Sequence, residues 1–119
     1  MDITVATFLT EGTVLMGMKS KKNKLSYSAV INRRFRSYFG ICPLICFRVW
    51  EKIIGEPDII EIDGSVRPTH LLWALMSMKM YNSQEVNLTI AGVDEKTFRK
   101  YTWPIIKAIS ELDMVSSII

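Results

Sequence analysis

Residues 82–112, NSQEVNLTIAGVDEKTFRKYTWPIIKAISEL, constrain the fold most, because they have the spacing of two helices joined by a tight glycine turn. Asn82, with Glu85 three residues later, predicts a capping-box-like start of the first helix. Gly92 is placed where that helix must end, since glycine enters the left-handed conformation without steric cost. Asp94 then caps the second helix, an arrangement typical of a helix-turn-helix. The predicted inward positions of the first helix are Val86, Ile90 and Ala91.

The second helix of the pair has one apolar face and one basic face. A spacing of three to four residues predicts an inward stripe made of Phe98, Tyr101, Thr102, Ile105, Ile109 and Leu112. The opposite face carries Lys96, Arg99, Lys100 and Trp103. DNA phosphates and base edges meet such a basic face on the second helix of a helix-turn-helix. The same pattern also occurs in helical proteins that never contact nucleic acid, where the face is only solvated.

Prolines and glycines predict the limits of the other helices. Gly40 ends a helix within SYSAVINRRFRSYFG, and Pro43 opens the next, CPLICFRVWEKII, because a missing N–H does no harm in a first turn. Pro104 predicts a kink near residues 100–103, or two helices that meet there. The first of these helices is predicted to point Ile31, Phe35 and Tyr38 or Phe39 inward and Arg33, Arg34 and Arg36 outward. In the next helix, the residues predicted to face inward are Leu44, Phe47, either Trp50 or Val49, and Ile54.

The segment THLLWALMSMKMY is apolar nearly all round, which predicts a central helix packed on several sides. The methionines of this segment that are predicted to fill the core are Met76, Met78 and Met80. The preceding loop, EPDIIEIDGSVRP, is acidic and rich in turn formers, so it is predicted to be a solvated connector.

The N-terminal part of the chain is predicted to be less ordered. Residues 1–18 are rich in Thr and Val, which favours a short strand or hairpin, although a lone hairpin is marginally stable in water. The lysine-rich KSKKNK segment that follows is predicted to be a mobile linker. The sequence therefore predicts an all-α fold, with one small domain of about five helices over residues 29–119. A basic segment over residues 1–28, flexible, irregular or weakly β, precedes it.

Charge is distributed unevenly along the chain. Residues 19–52 hold nine Lys or Arg side chains against Glu51 alone, whereas residues 53–119 hold six against nine acids, within a formal net charge of +3. Such a basic block favours a polyanionic partner, and its lysine run suits a nuclear-localisation patch, a phosphate-binding arm or a solvated loop.

No apolar run reaches the roughly 20 residues that a bilayer requires, and no basic residue precedes Lys19 as a signal peptide would need. We therefore expect a soluble protein with no membrane partner, nuclear or otherwise intracellular.

Residues with reactive or metal-binding side chains are few. Cys42 and Cys46 share one helical face, and because a zinc site wants four ligands they are predicted to be reduced, buried thiols. His70, the only histidine, stands at a helix start, where a structural role is favoured over catalysis. The crowded acids of residues 56–63 have no companion histidine. We expect no metal, no cofactor and no catalytic residue.

The stretches RRFRSYFG, HLLWALMSMKMY and GVDEKTFRKYTW, in this order and at these intervals, resemble the N-terminal region of Harbinger-type transposases of the DDE superfamily. The likeness covers residues 31–115, and its most specific parts are residues 70–75 and 92–103. In that family a helix-turn-helix-like domain, taken to recognise transposon ends, precedes an RNase H-like domain with three metal-binding carboxylates. The resemblance implies that the residues matching the recognition helix are Lys96, Thr97, Arg99, Lys100 and Trp103. The family's catalytic domain would begin just after Val115, where four residues remain, so we expect neither nuclease nor transposase activity.

Functions of different classes follow from these patterns. The first is a non-catalytic, transposase-derived domain that binds double-stranded DNA through the helix that begins at Asp94, with Arg99 reading guanine and Thr97 reaching a phosphate or a thymine methyl. Its candidate DNA-binding residues are Lys96, Thr97, Arg99, Lys100, Trp103, Arg33, Arg34 and Arg36. The alternative is a helical protein-interaction module, or a non-functional remnant of a truncated transposase, in which Trp103 and the apolar C-terminus contact a second copy or a partner protein. RNA binding by the basic arm is a third hypothesis.

Overall fold

Helices make up the regular structure of the part of the chain that the computed structural model describes, which is residues 3–17, 29–60, 62, 66–79 and 84–112. They are α1 (Val5–Leu15), α2 (Ala29–Phe39), α3 (Pro43–Ile53), α4 (Pro57–Ile60), α5 (Pro68–Lys79), α6 (Gln84–Ala91) and α7 (Glu95–Ser110). These ranges contain no strand, so the prediction of an all-α fold is confirmed. None of the helices in these ranges is long and apolar enough to cross a membrane.

α5 is the central helix of the fold, as predicted. Every residue from His70 to Met76 is buried, and α1, α2, α3 and α7 pack around the helix. A helix that is apolar on all sides needs neighbours on all sides, which explains this position. The prediction for its methionines holds only in part, because Met76 is fully buried whereas Met78 is 43% exposed near the end of the helix. Met80 lies outside the described residues.

The predictions of an irregular or weakly β N-terminus and of a weakly structured basic segment are wrong for residues 3–17, which contain α1. The residues of α1 that are buried are Phe8, Leu9, Gly12 and Thr13. Their spacing places them on one helical face, and the packing of this face outweighs the strand preference of Thr and Val. Gly12 lets α1 approach α2, because a Cβ at this position would overlap the Phe35 ring. The lysine run lies outside the described residues.

α2 has the predicted orientation. Phe35 and Phe39 are buried and their rings lie 4.7 Å apart. Gly40 has a φ of +86°, the left-handed conformation predicted for the helix end.

α3 begins at Pro43 as predicted, but its inward face is shifted from the predicted one. Leu44 is 45% exposed and Ile54 is also exposed, so both were wrongly assigned to the core. The buried positions of α3 are Pro43, Cys46, Val49, Trp50 and Ile53. Neighbours on α1 and α5, which are distant in sequence, determine which side of an apolar helix faces inward.

The acidic connector contains one helical turn, α4, which sequence patterns did not indicate. Ile59 is buried and α4 packs against α7, so this part of the connector belongs to the core.

α7 runs through Pro104 as one helix. The alternative of two helices meeting there is therefore wrong.

Candidate nucleic-acid interface

The turn between α6 and α7 has the predicted construction. Gly92 has a φ of +75°, and its N–H donates to the Leu88 carbonyl at 2.8 Å. Asp94 is the N-cap of α7, since its Oδ1 accepts a 3.0 Å hydrogen bond from the Thr97 N–H. The short turn from Gly92 to Asp94 thus ends one helix and starts the next. The predicted capping role of Asn82 lies outside the described residues.

The inward face of α6 differs from the predicted one. Val86 is exposed, Ile90 and Ala91 are partly buried, and Asn87 is buried instead. α6 has eight residues and packs against both α5 and α7. A polar residue at the centre of such a contact cannot be recognised from apolar spacing, which is why Asn87 was missed.

Aromatic side chains fix the rotation of α7 about its own axis. The Phe98 ring stacks on Trp73 of α5 with centroids 5.6 Å apart, and the Tyr101 ring stacks on His70 at 3.8 Å. Offset and stacked aromatic contacts favour a defined geometry. Because Phe98 and Tyr101 face α5, the side chains of Lys96, Arg99, Lys100 and Trp103 face away from the core.

The outward side chains of α7 form a continuous exposed surface, which we call the α7 face and define as Lys96, Arg99, Lys100 and Trp103. All four are exposed, and Trp103 is 64% exposed. The Arg99 guanidinium lies 5.5 Å from the centroid of the Trp103 ring and pairs with Glu95 at 3.0 Å. The structure therefore brings together four of the predicted site residues, with an acidic side chain beside them.

Thr97 belongs to the cap of α7 more than to its outward face. Its side chain is only partly exposed. Hydrogen bonds from Thr97 to the Asp94 carboxylate lower the pKa of Asp94. Thr97 therefore stabilises the start of α7 in the free protein, and its predicted contact with a phosphate or a thymine methyl stays a prediction.

The arginines of α2 form a second exposed basic group. Arg33, Arg34 and Arg36 are exposed, as predicted. α2 and α7 each pack on α5 but do not pack extensively on each other. The predicted site residues therefore fall into two groups, one on each of two helices that share the central helix as a support.

Sequence reasoning missed one cation near the α2 group. Lys79, in the last turn of α5, lines a cleft of about 510 Å³ together with Arg33 and Arg36. The methylene groups of Lys79 lie 3.6–3.8 Å from where a Cβ of Gly40 would stand. The only local signal is a basic residue near the predicted end of a helix, since the contact joins residues about forty positions apart in the chain.

Among the described residues, no group of three His, Cys, Asp or Glu side chains is arranged to hold a metal ion. Glu61 and Asp63 of the acidic connector lie outside those residues. Both cysteines are free thiols. Burial raises the pKa of the Cys46 thiol, which keeps it protonated and unreactive.

His70 supports the α7 face through its stacking on Tyr101. It is buried, and its Nδ1 accepts a 2.9 Å hydrogen bond from the Arg67 backbone N–H. Burial, with a smaller contribution from the Arg67 charge, lowers the pKa of His70 to about 4. The imidazole is therefore neutral in the folded protein at neutral pH, which fits a structural role.

Acidification is expected to destabilise the fold through His70. The ordinary pKa of 6.5 applies in the unfolded chain, so the unfolded state binds more protons between pH 6.5 and about 4, and stability falls as the pH is lowered through that window. The expected loss is on the order of 2 kcal/mol. Urea denaturation across this window measures it. His70→Gln removes the titration, and an equally steep pH dependence in that variant would contradict the assignment.

Comparisons of the chain with protein-family models, with curated proteins and with solved structures gave no significant match. The resemblance to the N-terminal region of Harbinger-type transposases accordingly stays a prediction from sequence. The structure supplies the geometry of the turn between α6 and α7 and the positions of the basic residues on α7.

Proposed function

We propose that this protein binds double-stranded DNA through the α7 face. One observation carries the proposal: a short turn between two helices is followed by a helix whose buried side is anchored by aromatic stacking and whose exposed side presents Lys96, Arg99, Lys100 and Trp103. A rigid helix with basic residues on one accessible side has the form that enters a major groove. Arg99 supplies the planar fork that suits guanine, and the two lysines suit phosphates.

The charge balance of this region limits how strongly it attracts DNA. Asp94 and Glu95 precede the three basic residues of the α7 face, so the start of α7 has only a small positive excess. Glu95 also holds Arg99 in an exposed ion pair. Such pairs contribute about 0–1 kcal/mol, so DNA can displace Glu95 at little cost. We infer that the arginines of α2 supplement the α7 face.

The proposal includes an origin in the end-recognition domain of a transposase, without catalysis by the chain itself. Support for this origin comes from the sequence resemblance, together with the confirmed turn and cap of residues 92–94. Metal-dependent cleavage of duplex DNA by the purified protein would contradict the non-catalytic part of the proposal. A nuclear location follows if the DNA is chromosomal.

Glu95→Gln is expected to strengthen DNA binding. The substitution removes a negative charge beside the α7 face and releases Arg99 from its ion pair, so affinity should rise by up to about fivefold, equivalent to the strength of one exposed pair. Fluorescence anisotropy with a labelled duplex of mixed sequence measures the change.

The matched control for this variant is Glu51→Gln, which removes the same charge from an exposed position on α3. It should change affinity less, because only the general field of the protein is altered. Equal gains in both variants would mean that DNA responds to net charge and not to the α7 face. Weaker binding by Glu95→Gln would contradict the proposed interface.

A protein-interaction module is the second candidate, and the surface beside Trp103 favours it. A cavity of about 460 Å³ is lined by Trp103, Pro104, Ile106 and Lys107, and exposed tryptophans are frequent anchors at protein interfaces. Trp103→Ala would abolish partner binding or dimerisation in this case. Replacement of Arg99 and Lys100 by alanine would leave that binding intact while strongly weakening DNA binding, so the two variants separate the hypotheses.

A further inference from the structure

The cleft between α2 and α5 concentrates positive charge, and among the described residues no ion pair joins its basic side chains to an acid. We call it the α2–α5 cleft and define it by its lining residues, which are Asn32, Arg33, Arg36, Ser37, Gly40 and Lys79. Three of the six are basic, and none of these described residues is acidic. The volume of about 510 Å³ is far more than a single water molecule requires. The cleft therefore has room for a charged group of several atoms.

The carboxyl ends of two helices, α2 and α5, lie at this cleft, and their dipoles oppose an anion there. Each helix end carries about half a negative charge, so two ends offset roughly one of the three positive charges. The Gly40 N–H already donates to the Arg36 carbonyl at 2.8 Å, which satisfies one of the exposed carbonyl groups of α2. A positive excess remains after both helix ends are counted. Capping of the two helices alone does not account for three basic side chains.

The backbone at Gly40 shapes the cleft. Its φ of +86° turns the chain sharply after α2, a conformation that residues with a side chain rarely adopt. The turn places the end of α2 against the aliphatic part of Lys79. Packing of the stem reduces the freedom of this side chain, which lines the cleft together with the two arginines.

We propose that the α2–α5 cleft binds a phosphate group, held by Arg33, Arg36 and Lys79. Guanidinium groups offer paired donors that match phosphate oxygens, and Lys79 adds a point charge with three donors. The phosphate belongs either to the DNA backbone or to a free phosphate compound. The inference deepens the proposed function, on which the DNA source depends, whereas binding of free phosphate is independent of it.

Titration of the ¹⁵N-labelled protein with inorganic phosphate at constant ionic strength tests the site. Amide shifts are expected at Ser37, Gly40 and Lys79. The triple variant Arg33→Gln, Arg36→Gln, Lys79→Gln should weaken binding at least about tenfold, because it removes every charged donor of the cleft. The matched control is Arg48→Gln, Arg67→Gln, Lys52→Gln, which removes the same charges from exposed positions that do not line the cleft.

Loss of the phosphate shifts in the cleft variant and their retention in the control support the site. Equal weakening in both variants, or no localised shifts in the wild type, would overturn it.

Salt-dependent DNA binding then identifies the source. A log–log slope reduced by about 0.9 per lost contact in the cleft variant assigns the cleft to backbone phosphate, and an unchanged slope assigns it to a free phosphate compound. If DNA does not bind the α7 face, the result of the phosphate titration does not change. The two proposals can therefore be contradicted independently of each other.

Discussion

Replacement of Phe8 by alanine is expected to lower the free energy of unfolding by about 3–5 kcal/mol. Phe8 is fully buried, and its ring lies 6.0 Å from the Trp50 ring in an edge-on arrangement. Alanine would lose the transfer free energy of the ring and leave a cavity that α1, α3 and α5 cannot close completely. A domain of this size has a total stability of about 5–15 kcal/mol. A large fraction of the molecules would therefore be unfolded at modest denaturant concentration, which urea denaturation followed by circular dichroism measures.

Val14→Ala is the matched control, because Val14 lies on the same helix and is 68% exposed. It should change stability by no more than about 0.5 kcal/mol. A similarly small effect of Phe8→Ala would mean that α1 does not belong to the core, and would favour the weakly structured N-terminal segment that Thr and Val enrichment predicted.

Combined replacement of Arg99 and Lys100 by alanine is expected to weaken duplex DNA binding by about 10- to 100-fold at low salt. Both side chains lie on the α7 face, and loss of an arginine contact to a base costs about 1–3 kcal/mol, whereas loss of a lysine contact to a phosphate weakens binding to all sequences and reduces the salt dependence. The fold should be preserved because both residues are exposed. Anisotropy titrations at fixed salt, with thermal unfolding as a check on folding, give the result.

Arg48→Ala with Lys52→Ala is the corresponding control, since these exposed residues of α3 carry the same charges. Its affinity should stay within about threefold of the wild type, because it changes only the long-range field. Equal losses of affinity in the two double variants would mean that DNA is attracted non-specifically by the net charge of the protein. Binding that survives unchanged in the α7 variant would direct attention to the Trp103 surface and to a protein partner.

The features that sequence patterns predicted correctly depend on local chemistry. Gly92 and Asp94 define a turn and a cap through hydrogen bonds to residues no more than four positions away. The spacing from Phe98 to Ile109 likewise places one side of α7 in the core without knowledge of what covers it. The exposed basic residues of the candidate site followed from that same local pattern.

The features that sequence patterns missed depend on contacts between distant segments. Whether residues 5–15 form a strand or a helix is decided by the packing of Phe8 and Gly12 against α2 and α3. The inward side of α3 is chosen by its neighbours, which is why Leu44 was misassigned. Lys79 reaches the arginines of α2 only because α2 packs on α5. None of these contacts leaves a signal within a short window of sequence.

The central claim is tested most directly by a salt titration of wild-type binding to a labelled DNA duplex between about 50 and 200 mM salt, beside the Arg99→Ala, Lys100→Ala variant. We predict that the logarithm of the affinity falls linearly with the logarithm of the salt concentration, with a slope of about −2 to −3 if the three cations of the α7 face each neutralise one phosphate. The double variant should lose roughly two units of that slope. Binding that does not depend on salt, or the same slope in both proteins, would contradict DNA recognition by the α7 face.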